Sequence, residues 1–314
     1  MALDKNLVKI FAEITSKAAI ESFKHVGKGD KKLADKAATD SMRTNLNMLN
    51  IDGTVVIGEG ELDEAPMLYI GEKLGNGNGP KIDIAVDPLE GTNFAANNLP
   101  GALSVLAISE KDNLFHAPET YMDKIAVGKD VPSDATDLDY PIEKNIKNIA
   151  DSKNLNPSDL TACLLDRQRH KKITDKLKDM GVKLKLISDG DVSGALMITD
   201  PKFKVDIFLG IGGGPEGVLA ASALDAYGCK FQGRFLFKSD NEKKRAKKMG
   251  INDTNRKCNL NDIVKNESIF CATGITSGEL VNGVLKKDNY FITETLVTHK
   301  NSMIDRLILK EPIT

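Results

Sequence analysis

Tryptophan is absent from the 314 residues of the chain, and aromatic side chains make up only 5% of them. The core must therefore be built mainly from Ile, Leu, Val, Ala and Met side chains. Apolar residues account for 41% of the chain, so a core of normal size is expected. This length allows one large α/β unit or two closely packed subdomains.

Paired cysteines and several familiar catalytic motifs are also missing. The four cysteines, Cys163, Cys229, Cys258 and Cys271, lie far apart without a Cys-x-x-Cys pair. This spacing argues against a zinc knuckle or a redox dithiol and favours buried, reduced thiols. The four histidines show no metal-ligand spacing. There is no G-x-S-x-G elbow, Walker A loop or H-E-x-x-H motif, which excludes the enzyme classes that depend on them.

A large charge of one sign and a long apolar run are absent as well. The formal net charge is −2, whereas nucleic-acid-binding domains are usually strongly basic. The first residues have helical periodicity interrupted by charges, unlike a signal peptide, and no stretch is apolar enough to span a bilayer. We therefore expect a cytoplasmic protein that binds neither nucleic acid nor membrane. An anionic substrate stays open, because local charge decides binding at a site.

Strand and helix patterns alternate in the second half of the chain, which predicts the α/β class with a parallel or mixed sheet. A weak boundary lies near Pro157. The predicted strands are 161–165, 183–187 and 205–209, and the predicted helices are 170–180, 192–198, 215–227 and 241–249. In the first half we predict helices at 7–23, 40–49 and 65–74, strands at 54–57, 82–87 and 102–108, a flexible loop at 75–79 and a hairpin partner at 114–127.

Two carboxylates flank a tight turn at the end of a predicted strand, in the segment DPLEGT at residues 87–92. Hard divalent ions such as Mg²⁺ and Mn²⁺ prefer oxygen ligands of this kind. Gly91 lets the backbone approach an ion, and Thr92 adds a hydroxyl, unless it serves only as a helix N-cap. The alternative for the whole segment is an acidic surface turn. Three further features favour a metal site.

A second acidic segment, GEGELDE at residues 58–64, also follows a predicted strand. Glycines on both sides of Glu59 suit a backbone shaped around an ion rather than a regular element. We therefore predict that Glu59 is a metal ligand and the base that orients water. For Asp63 and Glu64 we prefer a solvated acidic face near a helix start, where the helix dipole favours acids.

A glycine-rich segment, GIGGGPEG at residues 210–217, joins a predicted strand to a helix with Pro215 in its first turn. It matches the dinucleotide-binding pattern only by letter, because Pro215 and Glu216 occupy turn positions. A phosphate or metal loop at a helix N-terminus fits better, with Glu216 as a candidate ligand. The structural alternative is a tight strand-to-helix turn.

Polar residues follow two other predicted strands. Asp189 and Asp191 can accept hydrogen bonds from sugar hydroxyls, although Asp191 could instead cap the next helix. Arg167 and Arg169 can each fork onto phosphate oxygens. Because cations at a helix start oppose the helix dipole, their position favours a functional interpretation.

Four segments closely resemble class II (bacterial-type) fructose-1,6-bisphosphatases. They are GEGELDEAPMLY at 58–69, DIAVDPLEGT at 83–92, GGGPEG at 212–217 and ATGIT at 272–276. The similarity covers nearly the whole chain, and the first two segments together are highly specific. Residues 87–92 also resemble the motif of the wider lithium-sensitive phosphatase superfamily, which includes inositol monophosphatases.

The resemblance implies a layered α-β-α-β-α sugar-phosphatase fold, with a metal-binding phosphatase subdomain at 1–160 and a sugar-phosphate-binding subdomain at 161–314. It implies hydrolysis of the 1-phosphate of fructose 1,6-bisphosphate in gluconeogenesis, assisted by Mn²⁺ or Mg²⁺. The implied catalytic residues are Glu59, Thr92 and Asp87, and the implied metal ligands are Asp35, Glu59, Asp87, Glu90 and Glu216. The implied substrate contacts are Glu90, Gly91, Thr92, Tyr121, Arg167, Gln168, Arg169, Asp189, Gly190, Asp191 and Gly213.

Two positions depart from the expected family pattern. Gln168 stands where proline is expected between basic residues, and Asn93 stands where arginine is expected after Thr92. Either change could alter sugar-phosphate preference, so sedoheptulose bisphosphate stays open as a second substrate. An inositol-phosphate or nucleotide-type phosphatase and a non-catalytic sugar-phosphate sensor are the alternatives, although the intact Glu59 and Thr92 argue against the sensor. The resemblance also implies a homo-oligomer, either a dimer or a tetramer.

Overall fold

A computed structural model describes residues 5–59, 67–300 and 303–313. The chain divides into two compact units, of which the first combines residues 1–119 with 264–314 and the second is residues 120–263. The boundary predicted between residues 160 and 161 lies inside the second unit. The first unit is discontinuous because the C-terminal strands pair with strands from the beginning of the chain.

Helices and strands alternate irregularly along the described chain. The helices are α1 (Lys5–Phe23), α2 (Lys31–Asn47), α3 (Thr92–Ala96), α4 (Ile142–Lys153), α5 (Lys171–Asp179), α6 (Asp191–Leu196), α7 (Gly214–Ala226), α8 (Asp240–Lys248) and α9 (Leu260–Ile263). The strands are β1 (Asp52–Ile57), β2 (Lys73–Leu74), β3 (Lys81–Glu90), β4 (Leu103–Glu110), β5 (Tyr121–Val127), β6 (Thr161–Leu165), β7 (Lys183–Ile187), β8 (Ile207–Gly213), β9 (Lys230–Leu236), β10 (Cys258–Asn259), β11 (Ser268–Gly274), β12 (Leu285–Lys287), β13 (Tyr290–His299) and β14 (Met303–Pro312).

Each unit contains one mixed sheet. In the first unit the strand order is β12-β13-β11-β4-β3-β1-β2, with β14 paired to β13, and β1 runs parallel to β3. In the second unit the order is β10-β9-β5-β8-β6-β7, with β6 parallel to both β7 and β8. The predicted α/β class is confirmed, and the helices with two mixed sheets fit a layered arrangement.

The core of the first unit is mainly aliphatic, as the small number of aromatic residues predicts. Helix α1 packs on α2 and on strands β11 and β13, while α2 packs on α3 and β3. Phe11, Met42, Leu46 and Ile84 are fully buried in this core. Among the described residues, no helix is long and apolar enough to cross a membrane.

Several predicted elements of the second half are confirmed, and two of the first half are wrong. Strands β6 and β7 have the predicted bounds. The predicted hairpin partner at 114–127 is a strand only from Tyr121, and it belongs to the other sheet, between β8 and β9. Leu114 forms only an isolated bridge with Val264. The two ends of that segment lie in different units, which a local pattern cannot reveal.

The helix predicted at 65–74 is also wrong where it can be checked. Residues 60–66 lie outside the described chain, and residues 67–74 form turns and the short strand β2. Gly71 has a φ of 94°, which is left-handed and incompatible with a continuing helix. The Glu72 carboxylate accepts a hydrogen bond from Arg43 Nε at 2.7 Å, which ties this turn to α2.

The glycine-rich segment 75–79, predicted as a flexible loop, forms a turn with backbone hydrogen bonds to the connection between α2 and β1, and its flexibility stays a prediction. The N–H of Asn76 donates to Leu49 O at 3.1 Å, and that of Gly77 donates to Ile51 O at 2.9 Å. Gly75 and Gly77 have φ values of 92° and 78°, a left-handed backbone that favours glycine. A Cβ on Gly75 would overlap the backbone of Ile51, whereas a Cβ on Gly77 would meet open space.

This difference predicts unequal stability losses from two similar substitutions. Gly75→Ala combines backbone strain with a clash and should lower the free energy of unfolding by about 2–4 kcal/mol. Gly77→Ala adds only the strain and should cost about 1 kcal/mol. Urea unfolding of both variants measures the difference, and equal losses would mean that Ile51 moves aside freely.

Candidate active site

The predicted catalytic carboxylates of the first unit follow two neighbouring parallel strands. Glu59 comes two residues after β1, and Asp87 and Glu90 lie in the last four residues of β3. Because β1 and β3 are parallel, their carboxyl ends meet at one edge of the sheet, which is where α/β proteins bind ligands. The N–H of Glu59 donates to Leu68 O at 3.0 Å, which fixes its backbone at that edge.

A β-bulge shapes the segment that carries Asp87 and Glu90. Asp87 lies opposite Val105 and Glu90 lies opposite Leu103, with a register shift between them. Pro88 can be accommodated there because a bulge does not need every ladder hydrogen bond. The predicted turn is thus an irregular end of β3. A bulge redirects the side chains around it, which leaves Asp87 half-buried and Glu90 buried.

Thr92 does not cap a helix, so that alternative is wrong. The N-cap of α3 is Gly91, with a left-handed φ of 81°. Thr92 is the first residue of the helix and is half-buried. Within the described residues its hydroxyl forms no hydrogen bond, so it is available to a ligand at this edge of the sheet.

Asp35 lies in the second turn of α2, which packs against α3 and β3. The connection before α2 is joined to α3, because the N–H of Gly27 donates to Ala95 O and that of Gly29 to Ala96 O, both at 2.9 Å. The Asp35 carboxylate is half-buried, and its Oδ1 accepts no hydrogen bond from any described residue. Burial raises the pKa of Asp35 to about 6.

The candidate substrate residues of the second unit also collect at one edge of a sheet. Strands β6, β7 and β8 are parallel, and β5 runs antiparallel to β8 and β9. The start of β5 therefore lies beside the carboxyl ends of the other four strands. The predicted residues at these positions are Tyr121 on β5, Arg167 to Arg169 after β6, Asp189 to Asp191 after β7, and Gly213 and Glu216 at the end of β8 and the start of α7.

The glycine-rich segment is not a loop, because Gly210 to Gly213 form the end of β8 and the rest begins α7. Its predicted binding of a phosphate or metal stays a prediction. Gly212 and Gly213 lie opposite Met122 and Tyr121, and α7 begins directly at Gly214. A Cβ on Gly212 would overlap the Asp191 carboxylate, and a Cβ on Gly213 would overlap that of Glu216. The glycines are therefore required by two acidic side chains that lie against the strand backbone.

A buried lysine, missed in the sequence, organises these acids. Lys124 is 1% exposed, and its ammonium donates to the Asp191 carboxylate and, at 2.8 Å, to Gly213 O. Asp191 is the first residue of α6, whose N-cap is Gly190 with a φ of 87°. The prediction that Asp191 caps this helix is wrong. A buried charge pair such as this one is costly to break, because the remaining charge stays buried.

Glu216 lies in the first turn of α7 and is half-buried. Desolvation raises the pKa of Glu216 above its ordinary value, the charge of Lys124 opposes the shift, and the charge of Asp191 adds to it. Its Oε2 is buried and accepts no hydrogen bond in the described part of the chain. An acid held in this way needs a cation or a proton.

Two arginines at the same edge are positioned by backbone carbonyls. Arg167 Nη1 donates to Ser188 O at 2.6 Å, and Nη2 lies 3.8 Å from Asp189 Oδ1. Arg169 Nε donates to Ile211 O at 2.9 Å, while its guanidinium lies 5.2 Å from the centre of the Tyr121 ring. Gln168, between them, is exposed.

His170 fixes this basic turn and was not singled out in the sequence. The ring is 1% exposed, with Nε2 accepting from the N–H of Ile211 at 2.8 Å. Nδ1 therefore carries the proton and donates to Leu165 O at 2.7 Å. Both contacts require a neutral imidazole, so His170 joins the ends of β6 and β8 and is a structural residue.

The candidate metal ligands fit a hard divalent ion by their chemistry. All five offer carboxylate oxygens, and both Asp35 and Glu216 hold a buried oxygen that lacks a hydrogen-bond donor among the described residues. The described chain contains no group of three or more His, Cys, Asp or Glu side chains that could hold an ion. Glu61, Asp63 and Glu64 lie outside it. The ligand set stays a prediction.

Comparison with known proteins identifies the family. Residues 5–311 match the sequence model of a family described as bacterial fructose-1,6-bisphosphatase, glpX-encoded. The chain belongs to this family. A relative from Escherichia coli (strain K12), named fructose-1,6-bisphosphatase 1 class 2, is 42% identical over 312 residues, which cover 95% of this chain and 92% of that protein. One from Haemophilus influenzae, named fructose-1,6-bisphosphatase class 2, is 40% identical, and the match covers 98% of this chain and 96% of that protein.

For this bacterial fructose-1,6-bisphosphatase family member, one signal in the sequence could have revealed Lys124. It occupies a core-facing position in a strand whose neighbours on that face, Met122 and Ala126, are buried. A lysine in such a position needs a buried acid. The acid came from α6, far along the chain, and only the three-dimensional structure identifies it.

The pKa of Asp35 predicts a pH-dependent stability for the metal-free protein. Burial raises the pKa of Asp35 from its ordinary value of 3.8 to about 6 in the folded protein. The free energy of unfolding is therefore highest below about pH 4 and falls as the pH rises through about 6. Asp35→Asn cannot ionise and should raise the free energy of unfolding by up to roughly 3 kcal/mol at pH 8, with little effect at pH 4.

The matched control is Asp40→Asn on the same helix, where the carboxylate pairs with Lys36 and no gain is expected. Urea unfolding across this pH range measures both variants. Adding Mn²⁺ should stabilise the wild type more than Asp35→Asn if the carboxylate is a ligand. An unchanged pH slope in Asp35→Asn would contradict the proposed burial of its charge.

Proposed function

We propose that this chain hydrolyses the 1-phosphate of fructose 1,6-bisphosphate to fructose 6-phosphate and phosphate, in gluconeogenesis, with the help of Mn²⁺ or Mg²⁺. The family match over residues 5–311 carries the proposal. The placement of Glu59, Asp87, Glu90 and Thr92 at one edge of the first sheet supports it.

The metal would be held by Asp35, Glu59, Asp87, Glu90 and Glu216. When bound, a divalent ion lowers the pKa of a water and neutralises charge on the phosphate and the leaving alkoxide. Such phosphoryl transfer needs little covalent chemistry from the protein, so the positions of its groups dominate.

The side chains of the chain have separate tasks in this scheme. Thr92 donates its hydroxyl proton to a carboxylate and accepts a hydrogen bond from the attacking water, which directs a lone pair of the water toward phosphorus. Glu59 accepts the proton of that water as general base. Gly91, as the left-handed N-cap of α3, lets the chain turn sharply between Glu90 and Thr92.

The second phosphate and the sugar would be bound by residues of the second unit. Arg169 keeps both Nη groups for a phosphate, because only its Nε is used by Ile211 O. Asp189 and the backbone at Gly190 can accept from and donate to sugar hydroxyls. The role of Asp191 is indirect, because its carboxylate is paired with Lys124. Lys124 also donates to Gly213 O, so the pair holds Gly213 and the start of α6 in place.

Sedoheptulose bisphosphate is the second candidate substrate, favoured by the exposed Gln168 between the two arginines and by Asn93. An inositol-phosphate-type phosphatase and a non-catalytic sensor are the competing hypotheses. We further propose that the enzyme works in the cytoplasm as a homo-oligomer, a dimer or a tetramer.

Phosphate release from a panel of sugar phosphates tests the function and its metal dependence together. Activity on fructose 1,6-bisphosphate should fall at least 100-fold after chelation and return with Mn²⁺ or Mg²⁺. The panel includes sedoheptulose 1,7-bisphosphate, inositol 1-phosphate and a nucleotide monophosphate. Turnover in a metal-free preparation would exclude the metal, and the absence of release from every substrate would favour the sensor.

Substitution of Thr92 tests the orientation of the attacking water. Thr92→Ala should lower kcat by roughly 100-fold or more, because an aligned nucleophile is lost from the transition state. Thr92→Ser keeps the hydroxyl and should retain much of the activity.

Both Thr92 variants should unfold at nearly the wild-type temperature, since Gly91 and not Thr92 is the N-cap. Mn²⁺ binding should also be unchanged in both. A near wild-type kcat for Thr92→Ala would leave Glu59 to orient the water alone.

A further inference from the structure

Lys238 lies at the edge of the second sheet where the candidate substrate residues collect, although no sequence motif pointed to it. It follows the last residue of β9 by two positions, and the end of β9 lies beside the start of β5. Its Nζ is 4.2 Å from the centre of the Tyr121 ring, while the guanidinium of Arg169 is 5.2 Å from the same centre. Two cations therefore contact one tyrosine.

The charges of these two side chains have no acidic partner in the described structure. Neither Arg169 nor Lys238 forms an ion pair with any described carboxylate, and Arg169 uses only Nε, which donates to Ile211 O. Tyr121 is 38% exposed, so part of this side chain can be reached by a ligand. A cation on an exposed aromatic ring gains only about 0.5–1 kcal/mol, and like charges near each other repel. An anion between them removes that repulsion.

The backbone on both sides of Lys238 is anchored, so its position is not that of a free loop. The N–H of Lys238 donates to Glu242 Oε2 at 2.6 Å, and the N–H of Glu242 donates to Ser239 Oγ at 3.2 Å, which together cap helix α8. Just before it, Thr120 Oγ1 donates to Leu236 O at 2.7 Å. These contacts hold the backbone of Lys238 beside the start of β5.

We propose that Lys238 is a substrate-binding residue that completes the subsite for the phosphate that is not cleaved, and that it increases the preference for bisphosphates over monophosphates. This assignment rests on the proposed function. Arg169 can bind two phosphate oxygens with its planar fork, whereas Lys238 supplies a second, compact positive charge at the same tyrosine. The ligand is a phosphate monoester dianion at the far end of a sugar.

Lys238→Met tests the assignment because it keeps the apolar stem on Tyr121 and removes only the charge. A lost charged hydrogen bond should lower kcat/KM for fructose 1,6-bisphosphate by roughly 10- to 100-fold, mainly through KM. For fructose 1-phosphate, which lacks the second phosphate, kcat/KM should stay within about 2-fold of wild type, and Lys238→Arg should recover most of the loss. The control is Lys244→Met, an exposed lysine on α8, which should change neither substrate.

Fructose 6-phosphate binding, measured by calorimetry, gives a second readout that does not need turnover. Its Kd should rise by a similar factor in Lys238→Met and stay unchanged in Lys244→Met. Equal losses for both substrates, or no loss for the bisphosphate, would overturn the role of Lys238 and leave the proposed function intact. If the wild type fails to hydrolyse the bisphosphate, the proposed function is overturned. In that case the Kd for fructose 6-phosphate alone tests the subsite. Absence of binding to the wild type, or a Kd that is unchanged in Lys238→Met, overturns the subsite.

Discussion

The direction of the strands is the constraint on which the candidate site depends. In the first unit, the parallel pairing of β1 with β3 brings Glu59 to the same edge as Asp87 and Glu90. In the second unit, the parallel strands β6, β7 and β8 bring residues from distant parts of the sequence to one edge. The candidate residues at both edges lie within four residues of a strand end. In both units the candidate residues therefore lie at the carboxyl ends of parallel strands, where α/β proteins commonly bind ligands.

Charge without a partner among the described residues distinguishes four of the candidate site residues. Asp35 and Glu216 are acids at positions where burial disfavours ionisation. Arg169 and Lys238 are cations without acidic partners among the described residues. Lys124 and Asp191 show the opposite case, in which a buried pair satisfies itself and fixes the surrounding backbone. A protein selected only for stability would avoid buried acids such as Asp35 and Glu216, since a buried charge without a partner costs free energy in the folded state.

Local patterns in the sequence predicted many helices and strands, but they could not predict features that depend on contacts between distant parts of the chain. Strands β6 and β7 were predicted with their observed bounds, because a short apolar run between turn residues has few alternatives. The helix predicted at 65–74 failed at Gly71, whose left-handed backbone outweighed the apolar pattern. Gly210 to Gly213 looked like a loop because glycine is rare in strands, yet the Asp191 and Glu216 carboxylates exclude a Cβ at Gly212 and Gly213. The partner of Lys124 and the discontinuous first unit depend on contacts that no local window contains.

The discontinuity of the first unit determines the order in which the chain can be completed during synthesis. Strand β11 pairs with β4 in the middle of the eight-stranded sheet, but it leaves the ribosome after the whole second unit. Until then, β4 presents an open edge of backbone N–H and C=O groups, and α1 lacks part of the surface on which it packs. The nascent chain must keep this half-built sheet from pairing with other chains until the last strands arrive, so chaperone protection matters most in that interval.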